Sequence, residues 1–300
     1  MDPEEAKAEG VELVGPSAIP ISPSDATPRP LTVEEIKTYV QWYAIAADKA
    51  INRAGFDGVE LHFANGFLPD QFLQDVSNQR TDEYGGSIEN RAGFPLEIIE
   101  AVTNTVGEDR VGFRISPWNT WQGMKMEDPK PTFAYLVSQA KERFPNLAYL
   151  HAIEPRVSGH ETLENHGLES NQFLREIWGD KVFISAGGYS PQSAAETVST
   201  LGGLVAFGRH YIANVSPFPL YRSMVDRVLT FLRFQPDLPL RIKYGVPLTK
   251  YQRSTFYTIG GSQGYTDYPA ATLAELIGAA PTVAPRAGDA VTSSTLVSAA

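Results

Sequence analysis

The chain has 300 residues, of which 42% are hydrophobic and 20% are charged, and its formal net charge is −10. This composition is typical of a globular protein with a substantial core, and the acidic excess argues against binding to nucleic acid or to an anionic membrane surface. The lack of cysteine excludes disulfides, thiolate metal ligands and a cysteine nucleophile, and suits a reducing cytosol. The N-terminus has no apolar signal-peptide core and no run approaches the roughly 20 residues of a membrane span, so we expect a cytoplasmic protein.

The organised part of the chain begins at Thr32, behind a proline-rich leader over residues 1–31. Thr32 and Glu35 form a capping-box pattern, and apolar residues then recur at helical spacing until Gly55. The pattern predicts a helix that leads into the first long strand.

From residue 58 the chain alternates between short β-rich runs and helical stretches. Predicted strands cover residues 58–62, 111–116, 148–153, 182–185 and 204–207. Predicted helices cover residues 87–106, 132–144, 171–178 and 191–201, the last behind a Ser190 cap with proline at its first position. This alternation predicts an α/β fold with a parallel sheet that is buried on both faces.

Glycines follow the last two predicted strands. Gly187 and Gly188 stand directly before a helix, and Gly208 and Arg209 follow the fifth strand. Backbone N–H groups at a helix start together with a fixed cation suit a phosphate, and TIM barrels often bind phosphate after their last two strands. Alternatively, the glycines only permit tight turns and Arg209 pairs with a surface carboxylate. We favour phosphate because the motifs follow consecutive strands.

Several segments together resemble a known family. HFANGFLPDQFLQDVSNQRTDEYGGSIENRAGFPLE, VGFRISPW, LHAIEPRVSG, ISAGG, FGRHYIAN and PLTKYQRSTFYTIGGSQGYTDYP are similar to the Old Yellow Enzyme family of FMN-dependent ene-reductases, especially its fungal members. The resemblance covers roughly residues 15–214 and 236–269, and SNQRTDEYGGSIENR is highly specific. It implies a TIM (β/α)8 barrel with FMN at its C-terminal mouth, NAD(P)H as electron donor and a small-molecule enone as substrate.

The resemblance assigns roles to residues at the end of the first long strand. His62 and Asn65 match the family's two donors to the substrate carbonyl oxygen, where they would stabilise the enolate formed by hydride transfer to the β-carbon. Phe67 stands where enone-reducing members usually carry a tyrosine whose phenol protonates the α-carbon, and a phenyl ring has no acidic hydrogen. Unless water supplies the proton, we expect redox-neutral alkene isomerisation as the alternative to net reduction, as is associated with Phe here in the ergot-alkaloid branch of the family.

Further residues match the family's cofactor and substrate positions. Arg114 resembles the arginine beside the flavin N1 and O2 edge. Tyr257 stands where the family often has an aromatic residue over the substrate pocket, although a core tyrosine would fit the sequence equally well. The phosphate loops of the family are matched by Gly187, Gly188, Phe207, Gly208 and Arg209. His151 is expected to be structural, and His160, His166 and His210 lack metal-ligand spacing, so no metal is expected.

The chain departs from the family pattern in three places. Family members carry three barrel strands before the position of Thr32, so we expect an incomplete barrel with strands 4–8 only, which is either a catalytically silent fragment or completed by another chain, such as a second copy. Residues 215–235 are either an inserted amphipathic helix or a retained intron, since their codons can contain splice signals in frame. Residues 270–300 are predicted to be a disordered tail, which leaves 32–269 as the partial FMN-binding domain.

Overall fold

The structure is a computed structural model and describes residues 9–158, 161–162, 169–214, 237–256, 261–269, 271 and 275. The chain divides into two compact units, Met1–Ala206 and Phe207–Ala300. The interrupting segment 215–235 and nearly all of the tail after residue 269 lie outside the described residues. Within the described ranges, no helix has both the length and the apolar character that a membrane crossing requires.

The first unit begins with a short strand pair and a long helix. Strands β1 (Val14–Gly15) and β2 (Arg29–Pro30) pair in parallel, and helix α1 (Val33–Asp48) follows and continues as a π-helical turn over Lys49–Arg53. Thr32 caps α1: its side chain accepts from the Glu35 N–H, and the Glu35 carboxylate accepts from the Thr32 N–H. The predicted helix and its capping box are confirmed.

The remaining elements of the first unit alternate as the sequence predicts. In chain order the strands are β3 (Val59–Phe63), β4 (Val111–Ile115), β5 (Tyr149–Ile153), β6 (Val157–Ser158), β7 (Glu161–Thr162), β8 (Phe183–Ala186) and β9 (Leu204–Ala206). The helices are α2 (Leu68–Leu73), α3 (Ile88–Val106), α4 (Lys130–Arg143), α5 (Gln172–Trp178) and α6 (Pro191–Leu201), with 3-10 turns at Glu108–Arg110 and Trp121–Gly123. Every predicted strand and helix is present, with ends that shift by a residue or two.

Five of these strands form one parallel sheet, in the order β3-β4-β5-β8-β9, while β6 and β7 form a small antiparallel pair. All pairings within the large sheet are parallel, which confirms the predicted sheet type. Among the described residues, β3 and β9 each have one neighbour in this sheet. Its strand order therefore follows chain order, as it does when each strand is joined to the next by a helix.

One face of the sheet is apolar and forms the core together with the helices. Leu61, Phe113, Leu150 and Phe183 are buried in a single cluster, and they are paired across the strands in register. Helix α1 packs on α3, α3 on α4, and α4 on α5. The ring of Trp178 at the end of α5 lies edge-on to Phe113, 5.9 Å away between ring centroids.

The opposite face carries polar side chains on β3, β4 and β5, whereas Ile184 on β8 and Leu204 on β9 continue the same row with apolar ones. Glu60 is exposed and His62 and Arg114 are half-buried; they alternate along their strands with buried apolar residues, as neighbouring residues of a strand must. The prediction that the strands are buried on both faces is therefore wrong for β3, where Glu60 is exposed, whereas β4 and β5 are buried on both faces over most of their length. The reason is visible in β3, where a polar residue stands at every second position.

The second unit contains two short helices among its described residues. They are α7 (Arg209–Ala213) and α8 (Leu238–Tyr244), with a 3-10 turn at Arg253–Thr255. The buried Arg241 guanidinium holds this unit together locally: its Nε donates to Asp237 Oδ1 at 2.9 Å, and one Nη donates to the Pro247 carbonyl at 3.0 Å.

Gly112 on β4 allows the Tyr149 ring to lie across the polar face. A Cβ atom at Gly112 would come within 2.3 Å of Tyr149 Cε2. Gly112→Ala should therefore displace the tyrosine and lower the free energy of unfolding by about 1–3 kcal/mol, the usual cost of overpacking. The measurement is chemical denaturation followed by circular dichroism.

Gly93 on α3 provides the matched control. A Cβ at Gly93 would meet its nearest atom, in the Tyr84 ring, at an ordinary 3.7 Å. Gly93→Ala should leave stability unchanged or raise it by up to about 1 kcal/mol, because alanine favours helix. Equal losses of stability in the two variants would contradict the proposed clash.

Candidate functional site

Three polar side chains stand in a row across the sheet near its carboxyl end. His62 on β3 is in register with Arg114 on β4, and Arg114 is in register with His151 on β5. Residues paired in this way on neighbouring strands point to the same face of the sheet. The fold thus brings together His62 and Arg114, two of the residues that the sequence predicts to be functional.

The surroundings of His62 favour its neutral form. Burial lowers the pKa of His62, and the charge of the neighbouring Arg114 lowers it further against the opposing effect of Glu60. Burial also lowers the pKa of Arg114, but an arginine stays protonated in proteins. A neutral imidazole beside a fixed cation can donate one hydrogen bond without itself carrying charge.

Glu60 and His151 form a second polar pair on the same face. His151 Nδ1 lies 2.8 Å from Glu60 Oε2. Partial burial of the Glu60 side chain, which keeps 32% of its surface exposed, opposes ionisation, but the hydrogen bond with His151 and the electrostatic effects of His151 and Arg114 outweigh it and lower the pKa of Glu60. This contact is compatible with the structural role predicted for His151.

The turn after β3 carries Asn65 in an unusual backbone conformation. Asn65 has φ 59° and Gly66 has φ 75°, both in the left-handed region, which asparagine and glycine tolerate best. The Asn65 N–H donates to Ser116 Oγ at 2.8 Å, and the Gly66 N–H donates to Asp70 Oδ2 at 2.9 Å. The turn is therefore held both by the end of β4 and by the first turn of α2.

Asp70 accepts a hydrogen bond from this turn, and its side chain is completely buried. Burial raises the pKa of Asp70 to about 7, although hydrogen bonds from Gln74, Gly66 and Ser116 favour its carboxylate form. The sequence did not point to Asp70 or Ser116 as functional. The only signal for Asp70 was its position in the first turn of a helix, where an acidic residue normally just complements the helix dipole.

Phe67 is the N-cap residue of α2 and 54% of it is exposed. Its ring lies beside the His62 imidazole, with 4.6 Å between the ring centroids. His62 and Phe67 are thus neighbours in space, and Asn65 lies between them in the chain. No hydroxyl is present at the Phe67 position.

The two predicted phosphate loops lie in different units. Gly187 (φ 109°) and Gly188 (φ 65°) form the turn between β8 and α6 in the first unit, and a Cβ at Gly187 would lie 3.2 Å from Val157 Cγ2. Helix α6 is capped by Ser190, as predicted. Gly208 and Arg209 belong to the second unit together with Phe207, and there the Arg209 guanidinium lies 5.5 Å from the centre of the Tyr251 ring.

Some predicted positions cannot be compared with the structure. Tyr257, His160 and His166 lie outside the described residues. In the part of the chain that is described, no group of three or more His, Asp or Glu side chains could hold a metal ion.

Comparison with known proteins finds the family that the motifs around the Asn65 turn and the parallel sheet indicate. The family described as "NADH:flavin oxidoreductase / NADH oxidase family" matches residues 3–220. The chain belongs to this family. The resemblance to flavin-dependent oxidoreductases seen in the sequence is confirmed, and FMN and NAD(P)H are the cofactors associated with the family.

Two fungal proteins are among the curated relatives of this NADH:flavin oxidoreductase family member. The probable inactive reductase easA of Epichloe festucae var. lolii is 44% identical over 272 residues, covering 88% of this chain and 66% of the relative. The chanoclavine-I aldehyde reductase fgaOx3 of Penicillium roqueforti is 42% identical over 272 residues, covering 89% of this chain and 67% of the relative. The chain spans about two thirds of the length of these relatives.

Solved structures of the family share the fold. Old Yellow Enzyme from Pichia sp. superposes with a TM-score of 0.73 at 33% identity, covering 90% of this chain and 66% of that protein. Morphinone reductase in complex with tetrahydroNAD gives a TM-score of 0.71 at 36% identity, covering 88% of this chain and 68% of that protein. These likenesses imply the TIM-barrel architecture of the family, to which the parallel sheet corresponds.

Asp70→Asn should change how the stability of this flavin oxidoreductase family member depends on pH. The native pKa of about 7 exceeds the ordinary 3.8, so between these values the native state binds more protons than the unfolded state. Wild-type stability therefore falls as pH rises from about 4 to about 7, by up to about 4 kcal/mol from this group. The variant should lack this slope, whatever constant offset its altered hydrogen bonds produce, in urea denaturation at a series of pH values.

Asp82→Asn is a control with the opposite sign. The hydrogen bond from Arg80 lowers the pKa of Asp82, so its stabilisation is present above the ordinary pKa and is lost as pH falls. The wild type should therefore be more stable than Asp82→Asn, and this difference in stability should be largest at neutral pH. An Asp70→Asn slope identical to that of the wild type would contradict the burial effect.

Proposed function

We propose that the chain belongs to an FMN-dependent oxidoreductase that uses NAD(P)H to reduce the C=C bond of α,β-unsaturated carbonyl compounds. The observation that carries the proposal is the register that places His62 beside Arg114, with Asn65 in the adjoining turn; the lowered pKa of His62 favours its neutral form. The name of the Penicillium relative, an aldehyde reductase, agrees with a carbonyl substrate.

The residues of the first unit fit a bound FMN. Arg114 Nε is buried and has no hydrogen-bond partner among the described residues, and the pyrimidine edge of a flavin is rich in acceptors. Arg114 would hold that edge, and the glycine turn of Gly187 and Gly188 in the same unit would approach the phosphate. The role of Phe207, Gly208 and Arg209, which lie in the second unit, stays a prediction from the resemblance. When bound, FMN accepts hydride from NAD(P)H and delivers hydride to the substrate.

His62 and Asn65 would act on the carbonyl oxygen of the substrate. As hydride reaches the β-carbon, negative charge moves to this oxygen, and donors fixed in advance stabilise that charge most in the transition state. The neutral His62 imidazole supplies one N–H and the Asn65 amide supplies another. Because His62 lies on β3 and Asn65 lies in the hydrogen-bonded turn that follows this strand, neither side chain would have to reorganise when the charge develops.

Phe67 favours a second candidate activity, redox-neutral alkene isomerisation. Its ring occupies the place beside His62 without an acidic hydrogen, so protonation of the α-carbon would have to rely on water. If protonation is slow, the enolate could rotate about its Cα–Cβ single bond and give back the hydride from the β-carbon. The same double bond would then re-form with the other geometry, without net reduction. The name of the Epichloe relative, a probable inactive reductase, agrees with weak net reduction at such a site.

We further propose that β3, β4, β5, β8 and β9 correspond to strands 4–8 of a TIM barrel. The strand order and the polar face support this, because the inner face of a barrel bears the layered side chains beneath an active site at the carboxyl ends. Closure would need further strands between β9 and β3, which the described residues do not include; a second copy of the chain is one source. Tyr257 over the substrate pocket stays a prediction.

FMN binding is the first test of the proposal. The 300-residue chain mixed with FMN should elute as a yellow species with a shifted flavin spectrum. Arg114→Gln should raise the Kd for FMN about tenfold or more, since a charge-assisted hydrogen bond is worth about 1.5–3 kcal/mol. Arg110→Gln, at an exposed position just before β4, should leave the Kd unchanged. A colourless chain, or equal Kd values in both variants, would contradict FMN binding at this site.

Phe67→Tyr should increase net reduction of an enone by the flavin-loaded protein. A positioned general acid typically contributes about 10²- to 10⁴-fold, so a gain of about tenfold or more in kcat is expected even from an imperfectly placed phenol. Phe67→Leu, which removes the ring and adds no acid, should give no gain. The assay follows NADPH consumption and product formation separately, and unchanged kcat in Phe67→Tyr would show that proton supply is not limiting.

A further inference from the structure

Hydrogen bonds join the turn at Asn65 to the end of β4 and to helix α2. The Asn65 N–H donates to Ser116 Oγ at the end of β4, and the Gly66 N–H donates to Asp70 on α2. Ser116 is fully buried, and its hydroxyl favours the ionised form of the Asp70 carboxyl group, whose pKa burial raises. Because Ser116 Oγ accepts from Asn65, its own hydrogen is available for the Asp70 carboxylate.

Only the ionised form of the Asp70 carboxyl group, which prevails above a pH of about 7, has both oxygens free to accept every hydrogen bond offered to it. The carboxyl group accepts from the Gly66 N–H at 2.9 Å and from Gln74 Nε2 at 2.8 Å, and the Ser116 hydroxyl also favours its ionised form. The Gln74 amide cannot turn over without a loss, since its Oε1 accepts the Lys125 N–H at 2.6 Å. An asparagine at position 70 would direct its NH2 group at one of three donors, so one hydrogen bond would be lost.

The hydrogen bonds of this turn matter because Asn65 has an unfavourable backbone conformation. Its left-handed backbone costs about 1 kcal/mol or more relative to an ordinary conformation and persists only when the surroundings fix it. The direction of the Asn65 side chain follows from that backbone conformation. A turn released from Ser116 would allow Asn65 to relax and would move its amide.

We propose that Asp70 is a positioning residue that, through Ser116, sets the direction of the Asn65 side chain and hence its hydrogen bond to the substrate oxygen. The proposal rests on the role of Asn65 given under Proposed function. It assigns the buried carboxylate no contact with substrate or flavin. Its effect is to keep one oxyanion donor in place before the substrate arrives.

The first experiment tests the coupling in the flavin-free 300-residue chain, so it does not depend on the proposed function. Amide hydrogen exchange is measured for Asn65 and Gly66 in the wild type, Asp70→Asn and Ser116→Ala. Both variants should speed exchange at Asn65 by about tenfold or more, because its acceptor is lost or released. Thr103→Val, which removes a buried hydroxyl in α3, should change neither rate. If Asp70→Asn speeds exchange at Gly66 only, the proposal is overturned.

The second experiment measures ligand affinity in the flavin-loaded chain. The probe is 4-hydroxybenzaldehyde in its phenolate form, whose anionic oxygen resembles that of an enolate, and binding is followed by the change in flavin absorbance. Asp70→Asn and Ser116→Ala should each raise its Kd about tenfold or more, as expected for loss of one hydrogen bond to an anion, and Thr103→Val should not. An unchanged Kd in Asp70→Asn would overturn the proposal.

Asn65→Ala distinguishes a failure of the proposed role of Asn65 from a failure of the proposed positioning role of Asp70. If this variant binds the phenolate as tightly as the wild type, the role of Asn65 under Proposed function is wrong. If it binds weakly and Asp70→Asn binds normally, the positioning role alone is wrong. A merely structural Asp70 would lower thermal stability without altering phenolate affinity at temperatures where the variant is folded, so a raised Kd in a fully folded Asp70→Asn protein supports positioning.

Discussion

The register between β3 and β4 is the constraint on which the candidate site depends. It pairs His62 with Arg114 and places both on the polar face, while Leu61 and Phe113 enter the core. Because side chains alternate along a strand, a slip of one residue would turn Arg114 into the apolar cluster and bring a phenylalanine beside His62. The packing of α1, α3, α4 and α5 against the apolar face therefore also fixes the chemistry of the opposite face.

The site combines groups whose protonation is governed by opposing effects. Burial disfavours charge on Glu60 and Asp70, whereas hydrogen-bond donors around each carboxyl group favour it. At Glu60 the donors and nearby cations prevail and the pKa is lowered; at Asp70 burial prevails and the pKa is raised. The two carboxyl groups thus differ in their environment, not in their chemistry. The ionised form of Glu60 is favoured by its neighbours Arg114 and His151, whereas burial disfavours the ionised form of Asp70 beside the turn.

Carbonyl binding and proton delivery are separable in this structure. The donors to the carbonyl oxygen would come from the end of β3 and the turn that follows, and this part is held by main-chain register and buried hydrogen bonds. The position that we propose for proton delivery is that of Phe67, an exposed ring at the start of a short helix. A change there alters proton supply with little effect on the framework that binds the carbonyl group, which suits a family whose members include relatives named as reductases and others named as probably inactive.

The sequence by itself determined the elements and the family. Thr32 with Glu35 and Ser190 with its following proline are capping signals made by neighbouring residues, and both are present in the structure. Helical and β-rich periodicity located the elements to within a residue or two, because it depends on short-range spacing. The motif containing His62 and Asn65 identified the family.

The tertiary structure alone decided which residues meet. The pairing of His62 with Arg114, the polar second face of the sheet, and the support of Asn65 by Ser116 and Asp70 all join segments that are distant in the chain. No local pattern encodes such contacts, since a serine at a strand end or an aspartate in a first helical turn has many ordinary roles. Long-range register and burial give these residues their partners, and the candidate site is a property of that packing.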